Sequence, residues 1–391
     1  MGFTKQHINV DPKRVIESVW NTSYQAFESW PENVQEIALD LAAELFMLRS
    51  NPFVNPEMVR SNVWNQFSKH ESELPAEYYE YMQNRLDVFW SDYEDYCLFQ
   101  SEVKETLKDC LPKDYIVDSP HALVQCATDA TGLIMELPLL VVYPETTEDV
   151  QNIIQLARQK GFYIIPRGGG SGLTGGAVSA LRKSVILSMT RMKTIFDIDT
   201  QDRILWTQTG VLTLDAINAV KEKDMLFTVD PASKSASSLG GNISENAGGP
   251  YAFAYGTTLD NILSFKMVTP RAEIIEVWRK DHPRHKIYPG ENVVFEILDS
   301  EGQLQRTISL KGEEIRSPGL GKDVTNKFLG GLPGVQKEGV DGIITEARFV
   351  LYPQLKYSRT LCLEFYGSSM HSASLVIEDL VHLRDQIRQK S

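Results

Sequence analysis

Two glycine-rich stretches constrain this chain more than any other feature. The first is PRGGGSGLTGGA, from Pro166 to Ala177, and the second is GGNISENAGG, from Gly240 to Gly249. Glycine permits positive φ angles and lets backbone N–H groups approach a ligand that a Cβ atom would keep away. A series of such N–H groups facing one way binds phosphate oxygens without a lysine. The pair therefore predicts a site for a nucleotide-derived cofactor.

A nucleoside-triphosphate loop does not explain these stretches. Such a loop requires G-x-x-x-x-G-K-[ST]. At the one Gly-Lys pair that could supply it, Gly321-Lys322, Arg316 replaces the first glycine and Asp323 replaces the hydroxyl residue. This motif is absent from the chain.

A Rossmann-type dinucleotide site is disfavoured by context. The pattern G-x-G-x-x-G is present at Gly170, Gly172 and Gly175. In a Rossmann unit a long helix follows these glycines and points its N-terminus at the pyrophosphate. Here the segment 176–183 is too short for that helix, and an apolar strand follows at 184–187. Flexible linkers are also disfavoured, because both stretches have periodic apolar flanks rather than polar, structureless ones.

The motifs around the two stretches resemble the FAD-binding domain of the vanillyl-alcohol-oxidase/glycolate-oxidase family. The resemblance runs from Leu137 to Val277 and returns near Gly342. The segments that carry it are Pro166 to Ala177, Asp230-Pro231, Gly240 to Asn242, Asn246 to Gly249, Tyr255-Gly256, Asp260-Asn261 and Gly342 to Glu346. It implies bound FAD, with the pyrophosphate on the first loop and the isoalloxazine ring between the FAD domain and a cap domain.

The first glycine stretch supplies the predicted pyrophosphate contacts. The candidates for backbone N–H donors are Gly168, Gly169, Gly170, Gly172, Gly175 and Gly176. The hydroxyls of Ser171 and Thr174 are further candidates, and Arg167 either neutralises phosphate charge or braces the loop. Covalently flavinylated relatives carry histidine at position 171, so Ser171 predicts non-covalent FAD.

The second stretch and two flanking segments complete the predicted site. Asp230 and Pro231 are expected to turn the chain towards the flavin, while Gly240 and Gly241 allow close approach. Asn242 and Asn246 either bind the polar edge of the flavin or cap turns. The remaining cofactor-binding candidates are Ala247, Gly248 and the backbone of Ile344, while Thr345 and Glu346 are expected to hold the domain together. No general base and no metal ligand can be nominated.

Composition limits the function classes. The net charge of −13 argues against a nucleic-acid partner, and no apolar run approaches the roughly 18 residues of a membrane span. A cytoplasmic location is expected. The four cysteines, Cys97, Cys110, Cys126 and Cys362, fit no zinc or iron–sulfur spacing and are predicted to be buried free thiols. His282 and His285 are expected to be exposed and to bind no metal.

The order of patterns predicts an α+β chain. Residues 1–115 read as a helical region, with one apolar face along Val34, Ile37, Ala38, Leu41, Leu45 and Leu48 and an aromatic stripe along Tyr79, Met82, Leu86, Phe89 and Tyr93. A connector at 116–136 precedes a PCMH-type FAD-binding domain of two subdomains at 137–353. That domain carries a hairpin-like insertion at about 282–315. Residues 354–391, with a strand at 360–365 and a helix from Ser372 to about Lys390, are expected to begin an incomplete cap domain.

The whole chain also resembles the N-terminal portion of very large bacterial FAD-linked dehydrogenases related to D-lactate and glycolate dehydrogenases. The stretches Thr128 to Thr131, Gly321 to Gly342 and Thr360 to Tyr366 carry this resemblance. It implies oxidation of a 2-hydroxy acid, such as D-lactate, glycolate or D-2-hydroxyglutarate, by hydride transfer to flavin N5. One alternative is a non-catalytic FAD-binding subunit or fragment that needs a separate cap or iron–sulfur chain. Another is a reductase like the cell-wall enolpyruvyl reductases.

Overall fold

The structure is a computed structural model and describes residues 12–132, 136–317, 324–357 and 369–388. The backbone contacts divide the chain into two units, Met1–Pro353 and Gln354–Ser391. The first unit contains a helical region, a small sheet and a large sheet. Three sequence features lie outside the described residues, namely Gly321 to Asp323, the predicted strand at 360–365 and Cys362.

The predicted helical N-terminal region is confirmed. Its helices are α1 (Pro12–Trp20), α2 (Tyr24–Phe27), α3 (Glu32–Ser50), α4 (Pro56–Lys69) and α5 (Ala76–Leu107). In α3 the predicted apolar face is buried, except that Ile37 is only partly so. The aromatic stripe lies in α5, where its side chains join the same core, so it is packing surface.

Three side chains satisfy the carbonyl groups that end α1. Arg49 donates to the carbonyl of Ser18 at 2.9 Å, Arg85 to that of Val19 at 3.4 Å and the Tyr81 hydroxyl to that of Trp20 at 2.6 Å. The last carbonyls of a helix have no partner within the helix and carry partial negative charge. The two arginines and the tyrosine therefore fix α1 against α3 and α5.

The small sheet precedes the first glycine stretch. Its elements are β1 (Ile116–Val117), α6 (Pro120–Cys126), β2 (Leu140–Val142), α7 (Thr147–Lys160), β3 (Tyr163–Arg167) and β4 (Ser184–Ser188). The strand order is β1-β2-β4-β3, with β2, β4 and β3 parallel. From the sequence, a hydroxyl in residues 144–147 is expected to cap the next helix and Gly161 to end it. In the structure Thr146 and Asp149 form a capping box at the start of α7, and Gly161 ends it with a φ of 77°.

The large sheet follows, with strand order β11-β10-β9-β8-β14-β6-β5. Its elements and their connections are β5 (Ile195–Asp199), β6 (Ile204–Gln208), α8 (Thr213–Lys221), β7 (Met225–Leu226), α9 (Leu239–Glu245), α10 (Ala252–Tyr255), α11 (Thr258–Asn261), β8 (Ile262–Val268), β9 (Ile274–Lys280), β10 (Asn292–Asp299), β11 (Leu304–Lys311), α12 (Gly312–Ile315), β12 (Arg316–Ser317), β13 (Val324–Thr325), β14 (Ile343–Val350) and β15 (Tyr352–Pro353). All the strand pairs of this sheet are antiparallel.

The predicted hairpin is present as β10 and β11. Because β10 also pairs with β9, the hairpin extends the large sheet instead of standing apart from it. In the second unit the structure describes one helix, α13 (Met370–Arg388), where the sequence predicts a helix. Within the described residues, no helix combines the length and the apolar character needed to cross a membrane.

The expectation that His282 is exposed is wrong. Its Nε2 atom lies 2.7 Å from the carbonyl oxygen of Asp260 and 3.0 Å from Arg279. Burial, together with the charge of Arg279, lowers the pKa of His282 to about 3. His285 is partly exposed.

The cysteine prediction holds only in part. All three described cysteines are free, but only Cys126 is buried, whereas Cys97 and Cys110 are partly exposed. Burial raises the pKa of the Cys110 thiol to about 11.

Candidate functional site

The two glycine stretches meet in a cleft of about 330 Å³. The cleft lies at the carboxyl ends of β3 and β4, where ligands of parallel sheets commonly bind. The predicted residues that line it are Arg167, Gly168, Gly169, Gly170, Ser171, Gly172, Thr174, Gly176, Gly240, Gly241, Asn242, Ala247 and Ile344. Residues separated by up to 177 positions in the sequence thus form one site.

The first glycine stretch is a loop that joins β3 to its parallel neighbour β4 without a helix. This geometry agrees with the exclusion of a Rossmann turn. In the described part of the chain, no group accepts a hydrogen bond from the backbone N–H groups of residues 168–176. These N–H groups are therefore available to a ligand.

Two glycines of this loop are needed for contact with protein rather than with a ligand. A Cβ atom on Gly168 would lie 2.1 Å from the Ser238 hydroxyl oxygen, and one on Gly169 would lie 1.7 Å from the carbonyl oxygen of Ala236. Real Cβ contacts are essentially never shorter than 3.0 Å. Glycine at these positions therefore brings the loop against the segment that begins the second stretch.

Arg167 braces the loop, which is one of the two predicted alternatives. Its guanidinium group donates to the carbonyl oxygens of Ala177 at 2.9 Å, Thr128 at 3.0 Å and Gln125 at 3.5 Å. The side chain therefore ties the loop to its own end and to the segment after α6. Its charge also adds a positive potential beside the cleft.

The second glycine stretch is largely helical rather than extended. Ser238 caps the N-terminus of α9 by accepting from the Gly241 N–H at 3.2 Å, and Asn246 ends the helix with a φ of 51°. The Asn242 side-chain amide donates to Thr213 at 2.7 Å, and that of Asn246 donates to Thr325 at 3.0 Å. Both side chains therefore make buried structural contacts, and Asn242 also lines the cleft.

The other predicted residues, Gly175, Asp230, Pro231, Asn246 and Gly248, are not among the cleft-lining residues. The Asp230 carboxylate accepts from the Tyr251 N–H at 3.3 Å, and a Cβ atom on Gly249 would lie 2.0 Å from the Asp230 carbonyl oxygen. Asp230 thus holds the end of the second stretch in place.

The segment around Ile344 joins the two sheets beside the cleft. The hydroxyl of Thr209 donates to the carbonyl oxygen of Ile344, and the buried hydroxyls of Thr147 and Thr345 are hydrogen-bonded at 2.9 Å. Thr147 belongs to the small-sheet region and Thr345 to β14 of the large sheet. The role predicted for Thr345 agrees with this contact. Glu346 forms an ion pair with Lys266 at 2.9 Å.

Sequence reasoning missed two carboxylates in the cleft. Glu245, at the end of α9, accepts a hydrogen bond from the Thr174 hydroxyl at 3.1 Å, and Glu338 is paired with Lys327 at 2.7 Å. Burial and the charge of Glu338 raise the pKa of Glu245, whereas Lys327 lowers that of Glu338. Both lie inside segments that carry the family resemblance, GGNISENAGG and the run before Gly342. A single glutamate in such a segment, however, does not by itself indicate a functional residue.

The donor set of the cleft fits the pyrophosphate of a dinucleotide such as FAD. Unpaired backbone N–H groups, the Ser171 hydroxyl and a nearby arginine suit anionic oxygens. The wall beyond the loop carries apolar groups from Met189 and Ile343, which suit an aromatic ring.

Comparison with known proteins agrees with this assignment. Residues 138–277 match the FAD binding domain family. The chain is 28% identical over 284 residues to the glycolate oxidase subunit GlcD of Bacillus subtilis, an alignment that covers 73% of this chain and 51% of that protein.

Two further relatives act on hydroxy acids by name. The chain is 33% identical over 173 residues to D-2-hydroxyglutarate dehydrogenase of Xanthomonas citri (44% of this chain and 36% of that protein). It is 31% identical over 181 residues to D-lactate dehydrogenase of Anaerostipes hadrus (46% and 37%). The chain spans about half the length, or less, of these curated relatives. The chain thus matches the FAD binding domain family over residues 138–277 and is similar to part of each of these hydroxy-acid oxidoreductases.

Proposed function

We propose that this chain is the FAD-carrying part of an oxidoreductase that oxidises a 2-hydroxy acid. The observation that carries the proposal is the row of backbone N–H groups at residues 168–176, which have no described acceptor. All of these residues except Gly175 line the cleft between the two glycine stretches. The names of the relatives support a hydroxy-acid substrate such as glycolate, D-lactate or D-2-hydroxyglutarate.

The chain's own residues would hold the cofactor. The N–H groups of the first loop and the Ser171 hydroxyl would bind the pyrophosphate, and Arg167 would keep the loop in shape. Gly240, Gly241 and Asn242 would form the opposite wall, and Ile344 would contact the cofactor through its backbone. When bound, FAD would supply the acceptor for the hydride that leaves the α-carbon of the substrate.

The overall reaction also releases the hydroxyl proton of the substrate and leaves a 2-oxo acid. No residue of this chain is nominated as the base that takes this proton. A further segment or a separate chain with a cap would supply this base. The same segment or chain would supply any iron–sulfur centre that passes the electrons on. GlcD is named as a subunit, which agrees with such a partner.

The test uses the purified chain with added FAD. After removal of free cofactor, we expect a yellow protein with a flavin spectrum, and anaerobic addition of D-lactate, glycolate or D-2-hydroxyglutarate should bleach it if the chain is catalytic alone. A yellow protein that none of these acids reduces would favour the alternative, a non-catalytic FAD-binding subunit. A protein that binds no FAD would refute the proposal, and bleaching by NADPH would indicate the reductase alternative.

Two smaller predictions belong to the same proposal. Because Ser171 stands where covalent relatives have histidine, acid precipitation should release all of the flavin into the supernatant. Flavin that stays with the precipitate would contradict non-covalent binding. The cytoplasmic location also remains a prediction, which cell fractionation would test.

A further inference from the structure

Among the residues that line the cleft, the charged ones are Arg167, Glu245 and Glu338. Arg167 donates its hydrogen bonds to backbone carbonyls and pairs with neither carboxylate. The wall that faces the glycine loop therefore carries two carboxylates that Arg167 does not neutralise. This is an unusual lining for a site that binds a pyrophosphate, because like charges disfavour each other in a partly desolvated cleft. The two carboxylates, however, have different surroundings.

Glu338 has a counter-ion. Lys327 lies 2.7 Å from it and keeps its pKa low, so Glu338 stays ionised near neutral pH. Lys327 is itself mostly exposed, and its charge also interacts with that of Glu245 at longer range.

Glu245 has no such partner within the described residues. It is partly buried at the end of α9, and its Oε1 atom lies 3.2 Å from where a Cβ atom on Gly172 would be. The groups that act on it are the Thr174 hydroxyl, the Glu338 carboxylate and, at longer range, Lys327. Its bond to Thr174 occupies a hydroxyl that the sequence assigns to the pyrophosphate.

We propose that Glu245 competes with the pyrophosphate of FAD for the glycine loop, so that FAD binding is coupled to the uptake of one proton by this carboxylate. This inference rests on the proposed cofactor site. A pyrophosphate placed beside Glu245 adds negative charge to a carboxylate that already faces Glu338, so binding makes the protonated form more favourable. A neutral Glu245 removes the repulsion and accepts a weaker hydrogen bond from Thr174, so that this hydroxyl turns more easily to the pyrophosphate.

The sign of the pH dependence follows from this coupling. The pKa of Glu245 is higher with FAD bound than without it. Below both pKa values the affinity for FAD is constant, because Glu245 is neutral in both states. Between them the affinity falls as pH rises, with a limiting slope of about tenfold per pH unit, and above both it is constant again.

The experiment measures the dissociation constant of FAD by quenching of flavin fluorescence at pH values from about 5.5 to 8.5. Glu245→Gln keeps the size of the side chain and an oxygen that can accept from Thr174, but it cannot ionise. We expect this variant to bind FAD about tenfold more tightly than the wild type at the upper end of the range, equal to about one pKa unit, and to show a flat pH profile. Calorimetry in buffers of different ionisation enthalpy should show proton uptake only in the wild type.

Glu338→Gln is the matched control, because it removes a carboxylate from the same cleft that already has a counter-ion. It should keep the pH-dependent step, displaced to lower pH by the loss of a neighbouring charge. Thermal unfolding of each apo variant checks that the fold is intact.

Three results overturn the proposal: a wild-type profile without a pH-dependent step, an equal step in Glu245→Gln, or weaker FAD binding by Glu245→Gln across the range. The last would show that Glu245 accepts hydrogen bonds from the cofactor. If neither the wild type nor a variant binds FAD, the proposed cofactor site fails instead, which separates the two failures.

Discussion

The contact between Gly169 and Ala236 offers a sharp test of how the cleft is built. In Gly169→Ala, the new Cβ atom would lie 1.7 Å from the carbonyl oxygen of Ala236, and that distance must open to at least 3.0 Å. The obstacle is backbone, which cannot rotate away as a side chain can. The first loop and the segment before α9 must therefore separate.

The expected cost can be stated for both stability and binding. Overpacking of this kind typically costs about 1–3 kcal/mol. Since the displaced segments are opposite walls of the cleft, we expect FAD affinity to fall by about tenfold or more, because a misplacement of roughly 1 Å weakens several contacts at once. Urea unfolding of the apo protein and fluorescence titration with FAD measure the two effects.

Gly176→Ala is the control for stability. Its Cβ atom would lie 3.5 Å from the nearest atom, the Cβ of Glu338, which is ordinary van der Waals contact. We expect a change in the free energy of unfolding within about 0.5 kcal/mol, the usual range for substitutions that disturb no special feature. If Gly169→Ala unfolds at the same urea concentration as the wild type and binds FAD equally well, then glycine at position 169 is not needed for the close approach of the two walls.

Three further predictions concern residues around the cleft. Arg167→Met should lower the free energy of unfolding by about 2 kcal/mol, since it leaves three carbonyl groups without a donor. Arg167→Lys should restore less than half of this loss. Equal stability of the wild type and both variants in urea would contradict the bracing role. Asp260 is fully buried and paired with Arg316, so Arg316→Met should cost about 3–5 kcal/mol in urea unfolding, whereas a cost below about 1 kcal/mol would show that the Asp260 carboxylate is satisfied by its backbone donors alone. His282 has a folded-state pKa of about 3, below its ordinary value, so the unfolded state binds the proton more readily and stability should fall as pH decreases from about 6.5 towards 3. His282→Gln should flatten that part of the stability profile relative to the wild type. An unchanged slope would exclude His282 as the source of the pH dependence.

The sequence predicted those features that local patterns determine. The start and end of α7 follow from a hydroxyl cap at Thr146 and a glycine at position 161, both read within one turn of the helix. The absence of a helix after the first glycine stretch also follows from local sequence. The meeting of the two stretches came from the family resemblance, because periodicity gives no information on contacts between distant segments.

The features that the sequence missed depend on distant partners. His282 lies in a polar loop, but it is partly buried and contacts Asp260 and Arg279, which its neighbours in the sequence do not indicate. The glycine content of the second stretch does not indicate a helix, yet a serine cap and packing against Thr209 and the first loop hold most of it as one. Which glycines face a ligand and which face protein is likewise decided by the approach of separate segments, as at Gly168 and Gly169.

The central position of β14 has a consequence for how the chain folds during synthesis. β14 lies between β6 and β8, yet it leaves the ribosome roughly 75 residues after β8. Until then β6 is paired only with β5 and β8 only with β9, so the edge of each that will face β14 has no partner. The wall of the cleft formed by Ile344 is also missing. The helical region depends on shorter-range contacts and can form first. A nascent chain that pauses before residue 343 would therefore carry a finished helical region next to two unpaired strand edges, the stage at which a chaperone is most useful to it.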